Sequence, residues 1–77
     1  MNQSPTLPKE KIKQMDFPEA IRQIIAGWKV TRLEWKDEHI YGILKDGFLM
    51  IYREGKFHRW TVNKEDMIRK DWIVFGR

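Results

Sequence analysis

Arg32 and Trp35 are the first residues of the chain whose types and spacing suggest binding chemistry. They lie three positions apart in the segment GWKVTRLEWKDEHIYG. A guanidinium donates bidentately to phosphate, and an indole offers a large ring face and one N–H donor to a base. The alternative is structural: Trp35 packs at the rim of the core, and Arg32 faces solvent or pairs with Glu34.

Trp60, Asn63 and Asp66 form a second group of candidate binding residues. The Asp66 carboxylate can accept hydrogen bonds from ribose hydroxyls or a base edge, or it can complete a helix cap with Asn63. Trp60 can equally pack in the core. Together with Arg32 and Trp35, these residue types suit a nucleotide, although each residue alone also fits a structural role.

Residues for catalysis or metal binding are scarce in the sequence. The chain has no cysteine, which excludes disulfides and thiolate zinc sites. His39 and His58 do not form a ligand-spaced pair, and the acidic residues fall in turns, caps and exposed helix positions. We therefore expect a binding protein without enzymatic activity, metal or cofactor.

Charge and hydropathy limit the partner and the compartment. The chain carries a net charge of +4, of which residues 1–14 contribute +2 through three lysines and one glutamate, leaving +2 for the remainder. This is well below the charge of a dedicated nucleic-acid binder. No apolar run approaches the ~18 residues of a membrane-spanning helix, and no signal-peptide core is present. We expect a soluble intracellular protein with a flexible polar tail, 1–14, and one domain, 15–77.

The segment MDFPEAIRQIIAG predicts one amphipathic helix, Phe17 to Ala26. Asp16 is a favourable N-cap, and Glu19 completes the pattern of a capping box. Apolar residues recur at the spacing of a single helix face, at Phe17, Ala20, Ile21, Ile24 and Ile25.

Strand patterns follow this helix. The segment from Trp28 to Trp35 is rich in β-forming residues and predicts a first strand. Asp46-Gly47 and Glu54-Gly55 are candidates for two-residue turns, although a bulge is an alternative at the second. They predict a meander of three strands, over residues 39–45, 48–53 and 56–62.

Both faces of this meander are apolar in the predicted register. One face carries Tyr41, Ile43, Phe48, Met50, Tyr52 and Phe57, with Lys45 and Arg59 at its margins. The other carries Ile40, Leu44, Leu49, Ile51, Trp60 and Val62. Because one short helix covers only one face, we expect the aromatic face to be an oligomer interface or a ligand platform.

The C-terminal segment predicts a short helix and a last strand. In NKEDMIRK, Asn63 is the N-cap, Asp66 is the third helical residue, and Met67 and Ile68 face inward. DWIVFGR follows as a strand, with Asp71 organising the turn into it. The sequence thus predicts an α+β fold, in which one N-terminal amphipathic helix packs on an antiparallel meander sheet of about five strands, with a short helix before the last strand.

Two motifs frame the predicted domain. The first, G-x-x-V-x-R-x-x-W, ends MDFPEAIRQIIAGWKVTRLEW at Gly27, Val30, Arg32 and Trp35. The second lies in RWTVNKEDMIRKDWIVF and comprises Trp60, Asp66, Met67, Ile68, Asp71, Trp72 and Val74. In this order the motifs resemble those of the small phage and prophage domain of the second Thoeris anti-defence type. The resemblance covers Met15 to Phe75, with Asn63 where that family usually has serine and with a shorter middle segment.

This resemblance implies a phage-encoded, non-enzymatic homo-oligomer, a dimer or tetramer, in the host bacterial cytoplasm. Such a protein sequesters an immune nucleotide messenger, either a cyclic ADP-ribose derivative or a cyclic oligonucleotide. Arg32, Trp35, Trp60 and Asp66 occupy motif positions, and with Asn63 they are the expected ligand-binding residues. A relative in the same domain family acts as an anti-CRISPR protein, so a protein-binding inhibitor of a defence effector is the alternative. A single-stranded nucleic-acid-binding module on the aromatic face is a third hypothesis.

Overall fold

The computed structural model describes residues 13–76, so the predicted tail lies outside the described residues apart from Lys13 and Gln14. The elements are α1 (Phe17–Ile25), β1 (Lys29–Arg32), a 3₁₀ helix (Leu33–Trp35), β2 (Tyr41–Lys45), β3 (Phe48–Arg53), β4 (Lys56–Arg59), α2 (Lys64–Ile68) and β5 (Trp72–Gly76). The five strands form one antiparallel sheet in the order β4-β3-β2-β1-β5. The predicted α+β fold is confirmed, including the short helix before the last strand.

Helix α1 begins at its expected cap and covers one face of the sheet. The Asp16 carboxylate accepts a hydrogen bond from the Glu19 amide at 3.1 Å. Phe17, Ala20 and Ile24 are buried, whereas Ile25 is exposed although its spacing predicts the same apolar face. Ile25 follows Ile24 by about 100° around the helix and lies at the edge of the apolar stripe, so only the first three of these residues are buried.

The two hairpins have the predicted register. Across the first, Tyr41 faces Tyr52 and Lys45 faces Phe48; across the second, Tyr52 faces Phe57. The turn residues Asp46 and Glu54 have φ angles of 54° and 53°, and the glycine after each is also positive. Both connections are therefore two-residue turns with positive φ at both positions, so the alternative of a bulge after Glu54 is excluded.

The predicted extents of the first and fourth strands are too long. Strand β1 ends at Arg32, because the Leu33 amide donates to the Asp71 carbonyl at 3.1 Å and the chain then turns into the 3₁₀ helix. Strand β4 ends at Arg59, although the Trp60 amide still donates to the Leu49 carbonyl at 3.1 Å. In both cases a tryptophan, Trp35 or Trp60, lies just outside the sheet. The in-and-out alternation of strand residues therefore does not determine where its side chain points.

Helix α2 has the predicted capping box but the opposite inward face. Asn63 accepts from the Asp66 amide at 3.0 Å, and Asp66 Oδ2 accepts from the Asn63 amide at 3.1 Å. Met67 and Ile68, predicted to face inward, are 51% and 52% exposed. The prediction is wrong because the cap turns Asp66 inward, so the two apolar residues after it lie on the outer side of a helix of one turn and a half.

Candidate functional site

A cleft of about 390 Å³ opens on the face of the sheet that α1 partly covers. We call it the tryptophan cleft. It is lined by Trp35, Ile40, Ile51, Arg53, Arg59, Trp60, Thr61, Asn63 and Asp66. Its volume lies within the ~300–1,000 Å³ range of small-molecule sites. Four of the five predicted ligand-binding residues meet here, and Arg32 is the one that does not.

The buried Trp72 sets the positions of the two cleft tryptophans. Its ring centre lies 5.4 Å from that of Trp35, at an interplanar angle of 84°, and 5.5 Å from that of Trp60, at 50°. The Trp72 indole N–H donates to the Asp66 carbonyl at 3.1 Å, which fixes its own ring. Two partly exposed indoles are thus held by a third that is fully buried.

Gly42 on β2 allows the Trp60 ring to approach the strand closely. A Cβ atom at position 42 would lie 2.4 Å from the Trp60 ring, closer than any non-bonded contact of this kind. Sequence reasoning did not assign a role to Gly42. The signal was available, since a glycine inside a strand often marks the close approach of another group.

Asp66 is held in the wall of the cleft by its neighbours. Besides the Asn63 amide, Oδ2 accepts the indole N–H of Trp60 at 3.4 Å. A carboxylate has about four lone-pair sites, so this one keeps acceptor capacity after both bonds. Asp66 therefore serves as helix cap and as a fixed acceptor at the cleft, which joins the two interpretations made from the sequence.

The guanidinium of Arg32 lies 5.8 Å from the ring centres of both Trp35 and Trp72 and pairs with two carboxylates. The residue is 7% exposed; Nε donates to Asp71 Oδ1 at 2.9 Å, and Nη2 donates to Glu34 Oε1 at 2.5 Å. Asp71 also accepts the Glu34 amide at 3.0 Å. The structure does not bring Arg32 into the tryptophan cleft, so its contact with a ligand stays a prediction. Its ion pair with Asp71 joins β1 to the start of β5.

The pKa shifts of this cluster agree with its geometry. Burial by itself would lower the pKa of Arg32, but the hydrogen bonds and charges of Asp71 and Glu34 raise it above its ordinary value. Burial would likewise raise the pKa of Asp71, whereas hydrogen bonds from Arg32 and from the Glu34 amide lower it below its ordinary value. The hydrogen bonds within the cluster therefore favour the charged forms of Arg32 and Asp71.

Arg53 is the cleft residue that sequence reasoning missed. It lines the cleft at the end of β3, on the same face as Ile51. Strand alternation from Ile51 was the available signal. Arg59 also lines the cleft, but its guanidinium lies 3.9 Å from the ring centre of Phe48 on the opposite face. Arg53 is therefore the cation best placed for an anion in the cleft.

The predicted platform residues lie together on the other face of the sheet. Tyr41 and Tyr52 are stacked, with ring centres 5.1 Å apart and planes 18° apart. Phe57 lies 4.9 Å from Tyr52, and Phe75 lies 5.6 Å from Tyr41. Phe48, Met50 and Arg59 occupy the outer end of this face, which places every predicted platform residue on one surface.

These features define the protein as a small α+β domain with a tryptophan-lined cleft. The model of the Thoeris anti-defense 2-like domain matches residues 15–75, and the chain belongs to this family. A comparison with curated proteins finds no match. Within residues 13–76, no group of three or more potential metal ligands is present, and no helix has the length and apolar character needed to span a membrane.

Proposed function

We propose that the protein counters bacterial defence by binding a nucleotide messenger in the tryptophan cleft and withholding it, uncleaved, from the defence effector. The messenger is of the cyclic ADP-ribose or cyclic oligonucleotide class. One observation carries the proposal: Trp35, Trp60, Arg53 and Asp66 surround a single cleft of about 390 Å³. Membership of the Thoeris anti-defense 2-like family supports a role against bacterial defence.

Each of these residues supplies one element of nucleotide recognition. The indole faces of Trp35 and Trp60 stack on bases, an interaction worth ~1–3 kcal/mol per base. Arg53 pairs with phosphate through its planar fork. The Asp66 carboxylate accepts an N–H of a base edge or a ribose hydroxyl. Because Trp72 and the capping box hold three of these groups in place before binding, little ordering entropy is lost on capture.

Sequestration requires that the bound nucleotide be released from the protein chemically intact. Stacking on an indole quenches its fluorescence, so titration with each candidate nucleotide gives an affinity. After incubation, the protein is denatured and the released nucleotide is analysed by chromatography. Saturable quenching with quantitative recovery of the intact nucleotide supports the proposal; recovery of a cleaved product contradicts it.

Self-association belongs to the same proposal, since the family resemblance implies a dimer or tetramer acting in the host bacterial cytoplasm. A protein that sequesters a messenger without cleaving it removes only as many molecules as it has binding sites. The number of sites per particle therefore determines how much messenger is removed. Light scattering of the purified protein gives the number of chains per particle, and a nucleotide titration gives the number of sites per chain.

A second candidate function has its own observation. Met67 and Ile68 are half exposed on α2, immediately after the cleft residue Asp66. Adjacent exposed apolar residues of this kind are typical of protein-binding surfaces. This favours an inhibitor that blocks a defence effector directly, which predicts a stable complex with a bacterial protein that Met67→Ser weakens and that nucleotide does not displace.

A further inference from the structure

The strands of the sheet face opposite the cleft carry cations and aromatic rings but no acidic residue, and the nearest acids beyond the hairpins, Asp37 and Glu38, lie beside Thr31 and Ile73 at one end of that face. Its strand positions are Lys29, Thr31, Tyr41, Ile43, Lys45, Phe48, Met50, Tyr52, Phe57, Arg59, Ile73 and Phe75, by the pairing of the five strands. We call this surface the outer face. The nearest acids in the hairpins, Asp46 and Glu54, lie in the turns rather than on the strands. The small net charge of the chain therefore hides a local concentration of positive charge.

A row of rings crosses the outer face. It runs Phe75, Tyr41, Tyr52, Phe57, with successive ring centres 4.9–5.6 Å apart. Phe48 lies at the other end of β3 and is 49% exposed, and Phe57 is 39% exposed. Large exposed rings in the strands of an antiparallel sheet are the feature on which single-stranded nucleic acids stack.

The three cations lie directly among these rings. The ammonium of Lys29 is 4.9 Å from the Tyr41 ring centre, and that of Lys45 is 5.1 Å from the Phe57 ring centre. Arg59 lies over Phe48. Each cation therefore lies beside an aromatic ring, which places phosphate-binding and base-stacking groups next to one another on one surface.

We infer that the outer face binds a single-stranded nucleic acid, independently of the nucleotide cleft. Charge complementarity selects this occupant. A second copy docked over the hairpins would bring Lys45 and Arg59 of each copy against strand positions that hold no carboxylate, which is unfavourable. An acidic peptide would satisfy the cations but would leave the rings without planar partners.

The binding is measured by fluorescence anisotropy of the full chain with two labelled probes, a dodecathymidylate and a dodecauridylate. Neutralisation of three phosphates on a single strand gives a slope of about −2 for log affinity against log salt. Affinity should then fall about 20-fold between 50 and 200 mM NaCl. A difference between the two probes reports whether the face prefers DNA or RNA.

Two variants on the outer face and two matched controls test the location. Lys45→Gln should reduce the salt slope by about 0.7, and Phe57→Ser should weaken binding about tenfold. Lys64→Gln on α2 and Arg53→Gln in the cleft should leave oligonucleotide binding unchanged. Both outer-face positions are exposed, so circular dichroism should report a folded protein for each.

Three results overturn the inference. One is the absence of binding to either probe at 50 mM salt, and another is binding that the two outer-face variants leave intact. The third is an oligomer that Phe57→Ser converts to a monomer while no probe binds, which assigns the outer face to a second copy. None of these results bears on the nucleotide cleft, because the cleft lies on the opposite face.

Discussion

At the scale of single residues, the cleft is built from one buried tryptophan and two partly exposed ones. Trp72 is buried and supplies rigidity, whereas Trp35 and Trp60 are partly exposed and supply ring surface. The sequence alone shows four tryptophans, and it cannot tell which one is a scaffold. Their burial is decided by the chain turning out of the sheet at Leu33 and at Trp60, which strand propensity did not predict.

Replacement of Trp35 by leucine tests its role as a stacking surface. Trp35→Leu keeps an apolar side chain against Trp72 but removes the indole face, so nucleotide affinity should fall by about 1–3 kcal/mol. Titration by calorimetry measures the loss. Trp28→Leu is the matched control, since Trp28 lines a separate cavity with Met15 and Gln23. Equal losses in both variants would contradict a specific role for Trp35.

Gly42→Ala tests whether the Trp60 ring needs the bare backbone beneath it. The new methyl group would lie 2.4 Å from that ring. Because the ring or the strand must shift to make room, the free energy of unfolding should fall by about 1–3 kcal/mol. Urea unfolding measures the stability, and nucleotide titration should show weaker binding because the ring is displaced. Gly76→Ala, where no atom lies within 4 Å of the added Cβ, should be neutral in both measurements. A neutral Gly42→Ala would mean that Trp60 is free to move.

At the scale of the elements, the 3₁₀ helix is held to the start of β5 by the Arg32, Asp71 and Glu34 cluster. Asp71 joins the two through a side-chain bond to Arg32 and a backbone bond to Glu34. The sequence predicted that Asp71 organises the turn into β5 and left open a pairing of Arg32 with Glu34. It did not connect Asp71 with Arg32, because the two are 39 positions apart and only the β1–β5 pairing brings them together.

The cluster should make stability depend on pH in the acidic range. The pKa of Asp71 is lower in the folded protein than its ordinary value of 3.8. Its contribution is therefore present above the unfolded pKa and is lost as the pH falls through the folded pKa. The free energy of unfolding should decrease on acidification from about pH 5 to pH 3, as measured by urea titration at each pH.

Asp71→Asn separates this contribution from those of other carboxylates. The variant leaves Arg32 with Glu34 alone and should lose about 2 kcal/mol of stability at neutral pH. Its decrease on acidification should be smaller than that of the unchanged protein. If both proteins lost the same free energy between these pH values, Asp71 would not be the group responsible.

At the scale of the whole molecule, most of the fold was predictable and the division of its surfaces was less so. Two-residue turns determine strand register, so the pairing of Tyr41 with Tyr52 followed from Asp46-Gly47 alone. The inward face of α2 was predicted wrongly, because an apolar pair is a weaker signal than a buried capping box in a helix this short. The cleft draws residues from five separate segments, and no local pattern encodes such an assembly.

The central claim is that one molecule presents a preformed nucleotide cleft, and native mass spectrometry tests it most directly. The purified protein is incubated with a panel of cyclic ADP-ribose isomers and cyclic oligonucleotides, and the masses of the intact particles are recorded. We predict particles that gain the mass of one panel member per site and release it unchanged on denaturation, with the bound fraction reduced by Trp35→Leu and unchanged by Trp28→Leu. Particles that gain no mass from any member of the panel would contradict the claim.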